Sequence, residues 1–211
     1  MNKKLSFIFT LTILFCLYIF LLSTNYAKSV SANLSSNVFR LHIIANSDSE
    51  EDQNLKLIVR DNIINYMNTL ISNSHSKNNV ISIVSNHLED FKNIALETIH
   101  SHGYNYNVNI SIGNFYFPTK SYGDISFPSG HYDALKIEIG EAIGQNWWCV
   151  LFPPLCFVNS SSGVIPDDSK DILKENLNSE SYDIINNNNE DKNIDSSIKI
   201  KFKIVEFFNN S

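Results

Sequence analysis

Polar and apolar positions are distributed very unevenly along the chain. After Met1-Asn2-Lys3-Lys4, residues Leu5 to Leu22 are apolar almost without interruption. At 1.5 Å per helical residue such a run spans about 27 Å, enough to cross a bilayer core. It is apolar on every side and preceded by two lysines, which predicts export with Lys3 and Lys4 left in the cytoplasm. Val30-Ser31-Ala32 offers small residues to a signal peptidase. Two readings of residues 1–32 therefore stand: a cleaved signal peptide, or an uncleaved membrane anchor.

Beyond this segment the period changes. Asn37 to Asn46 reads as a strand, with Arg40 and His42 on one face and Phe39, Leu41 and Ile43 on the other. Ser47-Asp48-Ser49-Glu50 has the spacing of a capping box, with Ser47 as the cap. Leu55, Ile58, Val59, Ile63, Tyr66, Met67 and Leu70 then recur at helical spacing, as do Ile81, Val84, Leu88, Phe91, Ala95 and Ile99 before Gly103. Tyr104 to Ile112 alternates as a half-buried strand, and 115–130 reads as an aromatic loop. Asp133 to Ile139 alternates again, Gly140 to Gly144 turns the chain, and a strand containing Trp147 and Trp148 returns. Residues 159–197 shift to Ser, Asn, Asp and Glu and read as a linker or insertion. Ile198, Ile200, Phe202 and Ile204 alternate with lysines, which predicts a C-terminal strand over 198–211 with a charged edge.

The expected fold class is α+β. A single domain over 33–158 carries a mainly antiparallel sheet with two helices packed on one face, preceded by the N-terminal signal or anchor helix. A formal charge of −6, with no sustained Lys/Arg patch, excludes a nucleic-acid binder.

Candidate chemistry is sparse. Arg40, His42, Asn46 and Asp48 collect at the C-terminal end of the first strand, where ligands of α/β folds often gather, or they orient the turn. Trp147 and Trp148 point to opposite faces of their strand, so at least one needs cover from outside a one-sided sheet. With Phe152, Pro153 and Pro154 they form a core element or a partner-binding patch. Outside the cytoplasm, Cys149 and Cys156, placed about a Phe152-Pro153 reversal, suit a disulfide; the alternative is two small buried apolar residues. A hydrolase using Cys149 or His131 is the alternative function, though Cys149 lies in an apolar strand that offers nothing to lower its pKa. No spacing suggests a metal or a cofactor site.

Arg40-Leu41-His42-Ile43-Ile44-Ala45-Asn46-Ser47-Asp48, continuing through Asp52-Gln53-Asn54-Leu55 to Val59-Arg60-Asp61, resembles the opening signature of the stage II sporulation protein R family. Gly144 to Cys156, preceded by Phe127-Pro128-Ser129-Gly130-His131-Tyr132-Asp133, is similar to its second. The likeness runs from Val38 to Val158. It implies a signalling protein made in the forespore and exported into the space between the two membranes. There, such a protein activates a membrane-embedded aspartic protease of the mother cell, which cleaves the pro-form of an early sigma factor. Binding without catalysis, and membrane contact through the N-terminal segment, are the corresponding expectations.

Overall fold

The computed structural model describes residues 3–71, 74, 76–156, 165, 167–186 and 195–209. Helix α1 (Lys3–Asn37) leads directly into β1 (Phe39–Ile44). Three helices follow, α2 (Glu50–Ile71), α3 (Lys77–Asn86) and α4 (Leu88–Ser101), then β2 (Val108–Phe117). A short hairpin of β3 (Lys120–Tyr122) and β4 (Ile125–Phe127) precedes β5 (Gly130–Ile139) and β6 (Asn146–Phe152). Helices α5 (Asp167–Asn176), α6 (Ser179–Ile185) and α7 (Asp195–Asn209) complete the described chain.

The α+β class and the N-terminal apolar helix are as the sequence indicates, with a mixed sheet. Its order is β2-β5-β1-β6, in which β1 runs parallel to β5 and both edge strands pair antiparallel. A parallel pair needs a crossover, and the α2–α4 segment supplies it. Leu41 faces Leu135 on one side and Cys149 on the other, which fixes the register.

Burial on both faces follows from the alternation in β1. Phe39, Leu41 and Ile43 join a first core with Leu55, Val59, Ile63, Met67, Phe91 and Ile99 from the helices. On the opposite face a second core gathers Ala134 and Val150 from the sheet with Ala27, Val30 and Leu34 of α1 and Val205 of α7. The core thus begins before residue 33: α1 passes through Ala32 without a break, and Ala27 and Val30 are buried beneath it.

Several expectations need correction. The cap of α2 is Ser49, whose hydroxyl accepts the Asp52 N–H at 3.2 Å. Ser47 instead donates to the Asp52 carboxylate and accepts the Ser49 N–H, so the cap is displaced by two residues. The helix expected over 81–99 breaks at His87, where Nδ1 meets Tyr66 Oη at 3.1 Å and Asp90 Oδ2 at 2.7 Å. The aromatic loop 115–130 contains the end of β2 and the β3–β4 hairpin. Within 159–197, residues 167–176 and 179–185 are helical, because Leu173, Leu177, Tyr182, Ile184 and Ile185 reach the second core. Residues 157–164, 166 and 187–194 of the expected core end and linker lie outside the described residues. The expected C-terminal strand is helix α7. Its residues carry both periods, and burial of Val205 against α1 and the second core selects the helical one.

Candidate functional site

Two turns meet at the C-terminal end of β1 and are locked together by Asn46. Its Nδ2 donates to Asp52 Oδ2 at 2.8 Å, and its Oδ1 accepts the Glu141 N–H at 3.0 Å. The approach demands glycine. A Cβ on Gly140, where φ is +58°, would lie 2.1 Å from Asn46 Oδ1, and one on Gly144 would lie 2.1 Å from the Ser47 carbonyl oxygen. Burial pushes the Asp52 carboxyl up, but hydrogen bonds from Ser47, Asn46 and Tyr106 outweigh it and hold the pKa below the ordinary value. Asn46 is therefore a latch in the fold, while Asp48 stays exposed on the turn.

Arg40 and His42 point to the second face of β1. Arg40 is fully buried, so it cannot meet a partner directly. Its guanidinium lies 4.1 Å from the Phe117 ring centroid and 4.9 Å from that of Tyr132, which partly offsets the cost of burying a charge. Among the described residues it has no ion-pair partner. Arg40 Nη2 donates to Tyr122 Oη at 2.8 Å, and that hydroxyl donates onward to the Trp148 carbonyl at 3.1 Å. The buried cation thereby ties the β3–β4 hairpin to the edge of β6. His42 stacks on Trp148 with centroids 3.8 Å apart, and its Nε2 meets Asn146 Oδ1 at 2.7 Å. Burial lowers its pKa despite the Asn146 bond, so the imidazole is neutral at pH 7.

The tryptophans divide between the faces, as alternation requires. Trp148 packs on His42 and Phe117, while Trp147 lies under the Arg60 guanidinium, 4.2 Å from the ring centroid. Both remain half-buried, since each forms part of the wall of a cleft along β6. Phe152 and Pro153 are buried and Pro154 is half-buried, so this corner contributes support more than surface. Cys149 and Cys156 form a disulfide with Cα atoms 5.4 Å apart, which leaves Cys149 no free thiol. His131 is exposed and pairs across the sheet with Tyr116 in the β2–β5 register.

The cleft has a volume of about 570 Å³ and lies between β6, the start of α2 and the β3–β4 hairpin. Among the described residues its walls include Lys56, Lys120, Tyr122, both tryptophans and the disulfide, and no carboxylate. Lys56 is 4% exposed, and its ammonium is held by Gln53 Oε1 at 2.5 Å and the Gln145 carbonyl at 2.9 Å. Burial, reinforced by Arg60, lowers its pKa. Among the described residues Lys56 has no ion-pair partner. Two carbonyls of β6 are already occupied from outside the sheet: Trp148 by Tyr122, and Val150 by the N–H groups of Leu155 and Cys156. Both are thereby taken from the edge that a further strand would need.

Lys56, Lys120 and Tyr122 were not singled out by sequence reasoning. The signal for the hairpin was Tyr122-Gly123-Asp124-Ile125, a two-residue Gly-Asp loop between short β-forming stretches. Nothing in the sequence places Lys56 in the same cleft.

Comparison with known proteins agrees with these shared motifs. The profile of the family described as stage II sporulation protein R matches residues 35–162, which include β1, the Asn46 latch and all of β6. Stage II sporulation protein R of Bacillus subtilis (strain 168) is 34% identical over 217 residues, covering 93% of this chain and 96% of that protein. No solved structure matches the chain. The match spans more than half of the sequence and coincides with the residues that lock the two turns and build the cleft, and on that footing the chain belongs to the stage II sporulation protein R family.

Proposed function

We propose that this chain is an exported, membrane-held signal from the forespore. It binds and activates a membrane-embedded aspartic protease of the mother cell, so that the pro-form of an early sigma factor is processed. The action is by binding, with preferential association shifting the protease toward its active arrangement. The observation that carries the choice of docking surface is the cleft along β6. In a protein of net charge −6, its walls among the described residues carry Lys120 and aromatic rings and no carboxylate, with the buried Lys56 ammonium behind them. Its chemistry suits an acidic segment of the protease exposed between the membranes. Retention of α1 is supported by its unbroken course through Ala32 and by the core position of Ala27 and Val30. Cleavage there would remove both from the second core. The hydrolase alternative loses Cys149 as a nucleophile to the disulfide, which leaves it only the exposed His131.

The test is reconstitution in a non-sporulating bacterium that expresses the protease and its sigma-factor precursor. Immunoblotting should show precursor cleavage only when this chain is co-expressed, and cleavage should persist in Cys149→Ser at a temperature where that variant is folded. Absence of cleavage with folded protein outside the cytoplasm would refute the proposal.

A further inference from the structure

Helix α7 is apolar on two sides, and the fold covers one of them more fully than the other. Val205 is fully buried in the second core, and Phe202 packs against it. A second stripe, Ile200, Ile204, Phe207 and Phe208, recurs at i, i+4, i+7 and i+8, and of these Ile204 and Phe208 are half-buried with contacts to the second core. Ile200 is 60% exposed and Phe207 is 65% exposed. The stripe is not isolated on the surface. It faces α1 between Phe15 and Ser23 across an apolar notch of about 740 Å³. The Phe20 and Phe208 rings meet edge-to-face at 5.5 Å and fix the two helices at its rim.

The depth of the notch identifies its surroundings. Leu22 ends the apolar run of α1, and Phe15 lies seven residues earlier, about 10 Å deeper along the helix axis. A wall reaching from Ser23 down to Phe15 therefore enters the hydrocarbon of the extracytoplasmic leaflet if α1 crosses the membrane. Lys203 has the form expected of such a boundary: its stem lines the notch, while its ammonium binds Glu206 Oε2 at 2.6 Å on a side chain 76% exposed. On the other side of the helix Lys201 reaches Glu180 at 3.1 Å, which ties α7 to the domain above.

We propose that α7 is an interfacial helix seated in the outer leaflet of the membrane that α1 crosses, with lipid acyl chains filling the notch between them. The domain is thereby held against the bilayer at two points and has one fixed orientation on it. This inference rests on the retention of α1 proposed above.

The test uses the full chain in a bacterial host, with Cys16→Ser removing the one described free thiol. Single reporters Phe207→Cys, Ile200→Cys and, on the exposed surface of α5, Glu175→Cys are treated in intact spheroplasts with a membrane-impermeant maleimide. The expected result is prompt labelling of Glu175→Cys, with both α7 reporters labelled at least tenfold more slowly until detergent is added. Equal labelling of all three in intact spheroplasts overturns the interfacial seating while leaving the exported, anchored domain in place. A Glu175→Cys reporter that stays unlabelled until lysis, or an intact mass showing a chain that starts after Ala32, removes the anchored reading and the seating with it.

Discussion

Replacing Asn46 by Ala removes both bonds of the latch between the two turns. The bond from Nδ2 goes to the carboxylate of Asp52, which is 4% exposed, and a hydrogen bond to a charged group of this kind contributes about 1.5–3 kcal/mol. The bond from the Glu141 N–H is neutral and lies at an exposed residue that water can reach, so it adds at most about 1 kcal/mol. The sum is a loss of about 1.5–4 kcal/mol at pH 7, or roughly 3–16 °C in Tm for a chain of this size. Thermal unfolding of the full chain in detergent micelles, followed by circular dichroism, measures it. The pH dependence supplies a second check. Asp52 has a folded pKa below its unfolded value, so its contribution is complete above the unfolded pKa and is lost as pH falls through the folded one. The variant loses part of that depression, and the gap between wild type and Asn46→Ala should narrow from pH 7 to about pH 3. The neighbouring exposed Asp48→Ala should stay within about 0.5 kcal/mol of wild type throughout. A loss below 0.5 kcal/mol for Asn46→Ala, or a gap unchanged between the two pH values, would refute the assignment of Asn46 as the latch.

Gly144→Ala sets a Cβ 2.1 Å from the Ser47 carbonyl oxygen, a backbone atom with little room to move, and should yield insoluble or unfolded protein on expression. Burial depresses the His42 pKa, so the unfolded chain takes up the proton first. Stability should be complete above about pH 6.5 and fall as the pH drops below it, with a shallower fall in His42→Phe on thermal scans at pH 7 and pH 5.5. The disulfide spans a sequence separation of seven residues, for which chain-entropy arguments give about 2.4 kcal/mol. The double variant Cys149→Ser/Cys156→Ser should show that loss, and a reductant should destabilise wild type but leave the variant unchanged.

Much of this architecture was legible because most elements carry one clear period. Phe39, Leu41 and Ile43 alternate against Arg40 and His42, and both sets are buried as that alternation requires, on opposite faces. Leu55, Val59, Ile63 and Met67 likewise mark the buried face of α2. Where two periods coexist the local pattern misleads, and Ile200 to Phe208 is the clearest case: packing on α1, which lies far away in sequence, decides in favour of the helix. Bias in composition hides structure in a different way. The Asn, Ser and Asp around Leu173 and Tyr182 dilute a helical signal that rests on only a few apolar anchors. At the site, motif residues were visible but their tasks were not. Asn46 and Arg40 look equally suited to ligand contact, yet one holds a turn and the other is buried under aromatic rings. Lys56 and Lys120 became neighbours in a cleft only through the pairing of β6 with β1 and the placement of the β3–β4 hairpin.

The docking role of the cleft is tested most directly by charge reversal at its rim. In the reconstituted host, precursor processing is timed with wild type, with Lys120→Glu, and with Lys92→Glu on α4 as a reversal outside the cleft. Equal accumulation and equal thermal unfolding of the three chains are checked first. Docking of an acidic segment predicts at least a tenfold slower processing with Lys120→Glu and an unchanged rate with Lys92→Glu. Undiminished processing with Lys120→Glu, or the same fall with both variants, would contradict it.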